Sequence, residues 1–205
     1  MLTVVLILGG YLLGSCPWGY WLVLLFRHED IRKQGSGNIG GSNVWRTYGT
    51  SLGLAVILLD FAKGFVPAFL GTQLESELVG ILAGGAAMVG HSRPLFLRFA
   101  RGGKVIATGG GVLFALAPLA AATGLAIWIV VFLTTRIASV ASIAVALFVP
   151  IGAWAFGYPT SVVAFAALAA AFAIFLHRQN IRRLLRGQEP RSNMALIQRL
   201  RGGST

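Results

Sequence analysis

Long apolar runs alternate with short polar connectors along this chain. The runs fall at 3–26, 51–71, 77–92, 104–117, 118–135, 139–156 and 160–177. A helix needs about 20 residues to cross the hydrocarbon core of a bilayer. The first, second and last runs therefore predict clear spans. The third and fourth are short and predict tilted, interrupted or partly inserted helices. The stretch from Val105 to Thr135 is uncharged, with Pro118 near its middle. It is too long for one typical span and reads as two. The expected fold is an all-α integral membrane protein of about seven transmembrane helices, some short, forming one domain over 1–205.

Charge sets the expected orientation. With seven spans and the N-terminus outside, loop 27–50 lies inside with Arg27, Arg32, Lys33 and Arg46. Loop 92–104 lies inside with Arg93, Arg98, Arg101 and Lys104, as do Arg136 and the basic tail 178–205. The outer turns near 72–77, 118 and 157–160 carry no Lys or Arg. Reading Val105–Thr135 as one span would put the arginine-rich tail outside, against the positive-inside rule. Arg182, Arg183 and Arg186 among Ile181, Leu184 and Leu185 predict an amphipathic helix on the cytoplasmic surface. The end, Gly202 to Thr205, is expected to be disordered.

Composition fits this picture. Hydrophobic residues make up 56% of the 205 and charged residues only 11%, against about 25% in soluble domains. The net charge of +11, from 17 Lys+Arg and 6 Asp+Glu, would suggest nucleic acid on a soluble protein. Here it sits in a few loops and the tail, where topology and anionic lipid account for it, so no nucleic-acid partner is expected. Cys16 is the single cysteine, which rules out an intrachain disulfide and argues against a thiolate metal site. No Lys or Arg precedes Arg27, so the first run reads as a retained helix and not a cleaved leader.

Polar chemistry gathers in five clusters. Loop 30–46 holds Gly35, Ser36, Gly37, Asn38, Gly40, Ser42, Asn43 and Arg46. Its glycines could turn several N–H groups toward one anion, and Ser42 or Asn43 could cap a helix beginning at Val44. As the plainer alternative, it is a flexible connector. The second cluster runs from Gly90-His91-Ser92-Arg93-Pro94 to Gly102-Gly103-Lys104. It offers N–H groups beside a cation, or a simple glycine turn with Lys104 snorkelling at the interface. Asp60 and Lys63 share one face of the second span and read as an inward ion pair, with Pro67 expected to bend or weaken that helix. Thr135, Arg136, Ser139 and Ser142 mark a fourth cluster, and His177, Arg178 and Asn180 a fifth.

All clusters except the ion pair belong to one membrane face. Together they form a basic site able to hold more than one phosphate. A hydrolase triad is missing, and so is any His-x-x-x-x-Asp pair: Lys33, Phe96 and Arg182 stand five positions beyond the three histidines. No metal cluster is expected. Three function classes remain open on these residues. They are an enzyme acting on phosphates at the membrane surface, a transporter for a small organophosphate, and a binding or scaffold protein. The absence of an inverted repeat argues against the transporter.

The same segments resemble the bacterial acyl-phosphate:glycerol-3-phosphate acyltransferases. The resemblance runs through Gly14-Ser15-x-Pro17-x-Gly19, the loop from Asp30 to Gly40 with Asn43 and Arg46, and Asp60-x-x-Lys63-Gly64-x-x-Pro67. It continues through Gly90-His91-x-x-Pro94-x-Phe96, Gly102-Gly103-Lys104, Thr135-Arg136 and His177-Arg178-x-Asn180-Ile181. It covers nearly the whole chain in order. Ser42 stands where that family often has Thr, and Val105 where Gly usually follows the lysine. The second departure implies altered geometry at the turn, not lost activity.

The resemblance implies transfer of a fatty acyl group from an acyl phosphate to the 1-hydroxyl of glycerol 3-phosphate, in phospholipid synthesis. It implies no cofactor, a monomer among membrane lipids, and an inner-membrane location with the site on the cytoplasmic side. It assigns Ser36, Arg46, Lys104, Ser142, His177 and Asn180 to catalysis. It assigns phosphate or substrate binding to Gly35, Gly37, Asn38, Gly40, Ser42, Asn43, Gly102, Gly103 and Arg136.

Overall fold

The computed structural model describes residues 1–192; the expected disorder of Gly202–Thr205 lies outside them. Among the described residues ten α-helices carry the fold: α1 Leu2–Gly14, α2 Trp18–Arg27, α3 Gly41–Tyr48, α4 Thr50–Leu74, α5 Glu77–Ser92, α6 Ile106–Leu116, α7 Pro118–Thr135, α8 Ala138–Ala155, α9 Thr160–Leu176 and α10 Arg178–Leu185. Large apolar side chains face outward, with Leu168 72% and Ile151 61% exposed. Water would not tolerate so much exposed apolar surface, whereas lipid tails favour it.

Every apolar run is helical, but the runs differ in reach. By length and apolarity, α1 with α2, α4, α7 and α8 can each cross a bilayer, and α9 with α10 forms a fifth candidate bent by 57°. α4 has 25 residues and spans about 37 Å at 1.5 Å per residue. α5 has 16 residues and α6 only 11, about 24 and 16 Å. α6 is therefore too short to cross alone. It is packed against α4, α5, α7 and α9, and backbone breaks at membrane depth are tolerated where protein covers them. It stops at Ala117, and Pro118 opens α7 at a helix start where its missing N–H costs nothing.

The first run folds as two helices, α1 and α2. It breaks at Ser15–Pro17 because Pro17 has no N–H to continue the ladder. The freed carbonyl of Cys16 accepts from Lys63 Nζ at 2.8 Å. Pro67, by contrast, leaves α4 continuous.

Close approach between helices rests on small residues. A Cβ at Gly64 would overlap the Thr108 carbonyl, joining α4 to α6, and one at Gly10 would overlap the Ala83 carbonyl, joining α1 to α5. Lipid-embedded helices gain little from hydrophobic sorting, so such contacts carry their packing.

Candidate active site

A cavity of about 530 Å³ opens at the end of the bundle where α3, the loop before α6, and α10 meet. Its polar end is lined by Ser36, Arg46, Lys104, His177, Asn180 and Glu189. Its apolar end runs between α6, α7, α8 and α9, past Leu113, Trp128, Val145 and Ala166. A cationic mouth joined to an apolar cleft suits a molecule with an anionic head and a hydrocarbon chain.

Lys104 is fixed at the mouth. Its Nζ donates to Asn180 Oδ1 at 2.7 Å. Asn180 Nδ2 donates in turn to Glu189 Oε1 at 2.6 Å, which settles which way the amide faces. Ser139 Oγ donates to the same Glu189 oxygen at 2.8 Å, and Arg183 Nε to Oε2 at 2.7 Å. Glu189 was not singled out from the sequence, because the tail reads as a basic surface segment. The available signal is that it is the only acid after Glu77. Its segment is tied down where Ser192 N–H donates to the Arg136 carbonyl at 2.8 Å.

Burial pushes the Lys104 ammonium down to about 8. The Glu189 carboxylate opposes this shift, while Arg183, Arg101 and Arg46 add to it. Burial also lowers Arg46, again opposed by Glu189. Burial alone would raise Glu189, but hydrogen bonds from Asn180, Arg183 and Ser139 and the Arg183 charge hold it below the usual carboxylate range.

His177 lies between α9 and α10. Its Nδ1 can only donate to the Ala173 carbonyl, 2.8 Å away, so a neutral ring presents Nε2 as an acceptor. Ser142 Oγ donates to the Ala138 carbonyl at 2.8 Å and accepts from Trp128 Nε1 at 3.3 Å.

Several residues expected to touch phosphate also brace the loop, Asn38 and Asn43 among them, and both line the cavity. Asn43 Oδ1 accepts from Ser36 N–H at 3.0 Å, and its Nδ2 donates to the carbonyls of Gln34 and Asn38. Asn38 Oδ1 accepts from Gly40 N–H, and its Nδ2 donates to the Gly102 carbonyl. These amides build the loop and join it to the next one. Gly35 and Gly37 take left-handed backbone, with φ of 56° and 70°. Helix α3 begins at Gly41, not Val44, and neither Ser42 nor Asn43 caps it. Ser42 and Gly40 line the cavity, as does Gly41.

Three placements bear on the expected contacts. Gly102 and Gly103 do not offer N–H groups to a ligand, because they donate to the Ser92 and His91 carbonyls at 3.0 Å each. These would otherwise be orphan carbonyls at the end of α5. Arg136 is exposed and does not line the cavity; it closes α7 in left-handed conformation. Val105, which stands where the resembled family usually has glycine, is held at φ 61° and is 1% exposed. This is an uncommon conformation for a β-branched residue.

Fold and site define a membrane-embedded protein with a cationic mouth opening on an apolar cleft. A family model described as glycerol-3-phosphate acyltransferase matches residues 4–187, and the chain belongs to that family. A glycerol-3-phosphate acyltransferase from Desulforudis audaxviator is 46% identical, covering 93% of this chain and 96% of its own. One from Desulforamulus reducens is 42% identical, with 91% and 94% covered. The crystal structure of PlsY (YgiH), an integral membrane glycerol 3-phosphate acyltransferase, in its glycerol 3-phosphate form superposes with a TM-score of 0.91. It is 37% identical over 96% of this chain and 98% of that one. Its lysophosphatidic acid form gives a TM-score of 0.86 over 93% and 95%.

If Lys104 holds substrate phosphate as an ammonium, kcat/KM is expected to fall above about pH 8, tenfold per pH unit, since that ratio reports the free enzyme. The limb in kcat should lie higher, because a bound dianion favours the charged amine. Glu189→Gln should move the kcat/KM limb to lower pH, because it removes the charge that holds Lys104 up. Steady-state rates from pH 6 to 10 check both directions.

Proposed function

We propose that this acyltransferase uses an acyl phosphate as donor and acylates the 1-hydroxyl of glycerol 3-phosphate, releasing 1-acylglycerol 3-phosphate and inorganic phosphate. The observation that carries the reading is the single cavity that joins Arg46 and Lys104 to an apolar cleft between α6 and α9. One substrate is a soluble dianion and the other a lipid with an anionic head, and this cavity offers ground for both. The names of the related proteins supply glycerol 3-phosphate and lysophosphatidic acid as their ligands.

Arg46 and Lys104 hold the phosphates. Ser36 orients the acyl phosphate, and His177 and Asn180 receive glycerol 3-phosphate, with Ser142 beside them. The glycerol oxygen attacks the acyl carbonyl carbon, a C–O ester bond forms, and the bond from that carbon to the phosphate oxygen breaks. The hydroxyl proton passes to a substrate phosphate oxygen, which is largely dianionic near pH 7 with a second pKa of about 6. The mixed anhydride is already activated, so positioning and charge stabilisation do most of the work. The Ser142 hydroxyl donates to the Ala138 carbonyl and not to a base, so it is not activated as a nucleophile.

The direct test incubates purified protein with an acyl phosphate and glycerol 3-phosphate and follows phosphate release and lysophosphatidate. Both products should appear in equal amounts, and neither appearing would end the reading. Kinetics should be sequential. Radiolabelled acyl chain trapped on Ser36, Ser142 or Cys16 without glycerol 3-phosphate would replace direct attack by an acyl-enzyme route.

We place the site on the cytoplasmic side of the bacterial inner membrane, the enzyme acting as a monomer. Tags near Gly41 and Arg98 and a reporter after Thr205 should score cytoplasmic, and a tag near Glu75 external. A tail scored outside would overturn this orientation.

A further inference from the structure

The Gly102–Gly103 turn leaves one question open. Its N–H groups are already engaged, so phosphate cradling does not explain why two glycines precede Lys104. The space around them does. A Cβ at Gly103 would overlap the imidazole of His91 at Nε2, and a Cβ at Gly102 would overlap the His91 carbonyl. The backbone just before Lys104 therefore lies directly on the His91 ring.

That ring is itself held from below. His91 is 4% exposed, and its Nδ1 lies 3.6 Å from Asp60 Oδ1 with no hydrogen-bond partner of its own. Asp60 Oδ1 accepts from Lys63 Nζ at 2.8 Å, and the same ammonium donates to the Cys16 carbonyl. The ring thus stands on a cluster linking α4, α5 and the break between α1 and α2. On its other side Lys104 is followed by left-handed, buried Val105, and the Gly102 carbonyl accepts from Asn38. Lys104 is clamped on each side by backbone.

We infer that His91, backed by Asp60 and Lys63, is a positioning residue that seats the Gly102–Gly103 turn and so aims Lys104 at Asn180. The two glycines serve contact with that ring. This rests on the acyl-transfer reading for its kinetic arm, but its structural arm does not. A misplacement of about 1 Å at a catalytic group can cost about a hundredfold, so the seat has kinetic weight through the placement of Lys104.

The test compares wild type, Gly103→Ala, His91→Ala and the double variant in one detergent, by melting temperature and by kcat and KM. Gly103→Ala is expected to melt earlier and to lose about a hundredfold in kcat/KM, because its methyl has nowhere to go. Adding His91→Ala should raise both readings above Gly103→Ala alone. If Gly103→Ala yields no folded protein, recovery of monodisperse double variant carries the same meaning. A harmless Gly103→Ala, or a double variant worse than Gly103→Ala, overturns the seat.

His91→Ala alone should also move the alkaline limb of kcat/KM upward, because a loosened turn lets water reach Lys104. Glu189, Arg183, Arg101 and Arg46, the charges facing it, stay in place. A lower rate with an unmoved limb would reduce His91 to a structural role. If wild type fails to turn over the substrates, the functional reading falls while the melting comparison still decides the seat.

Discussion

Lys104→Met is expected to abolish acyl transfer, lowering kcat/KM by about 10³ or more, while the protein still inserts and folds. Removing one preorganised donor from an oxyanion site costs about 10²–10³, and Lys104 is asked to hold a dianion as well. The replacement keeps the aliphatic stem and loses the ammonium that donates to Asn180 Oδ1. Folding should survive, because the lost group is a largely buried cation whose desolvation already disfavours its charge. Lys33 provides the control. It is exposed, lies in a short turn of helix and does not line the cavity, so Lys33→Met should change rates little. Rates measured side by side on protein of matched purity check this. Equal losses in the two variants would mean that general surface charge, and not a site, attracts the substrates.

The second large effect is on stability. Asp60→Leu should destabilise the fold by about 3–5 kcal/mol, the cost of leaving a buried charge without its partner. Lys63 is 2% exposed and Asp60 3%, so neither side chain can turn to water. The double variant Asp60→Leu/Lys63→Met should recover part of this, since an apolar pair replaces an ionic one. Recovery should be incomplete. Lys63 also donates to the Cys16 carbonyl at the break in the first span, leaving Trp18 N–H as its other donor, and a hydrogen bond from a charged group contributes about 1.5–3 kcal/mol. Thermal melting in one detergent, with chain yield as a second reading, ranks the three proteins. A double variant less stable than Asp60→Leu would show that the cost does not come from the unpaired ammonium.

Much of the fold was legible in hydropathy alone. Each apolar run became helical, the first as two helices, because in lipid a chain must satisfy its own backbone and the helix does so within one segment. The ion pair of Asp60 and Lys63 was legible for the same reason: a helix brings positions three apart onto one face, and hydrocarbon allows no unpaired charge. Side chains drawn from distant loops, such as Arg46, Lys104, His177 and Asn180, were legible through resemblance and through their shared membrane face.

What the sequence could not reveal is which polar groups look outward and which look inward. Gly102 and Gly103 sit beside a lysine and read as an anion cradle, yet their N–H groups close the end of α5. Asn38 and Asn43 lie in a glycine-rich loop, yet they bond its backbone. Arg136 looked equal to Arg46 but remains outside the cavity, and Glu189 was hidden among arginines though it organises Asn180, Ser139 and Arg183. Hydropathy is averaged over many residues, and a window of about 19 of them carries enough signal to place a helix in lipid. Hydrogen bonds depend on distance and angle between groups far apart in sequence, 76 positions for Asn180 with Lys104 and 50 for Glu189 with Ser139. Only packing, with glycine contacts and the broken first span, brings those groups within 3 Å of each other.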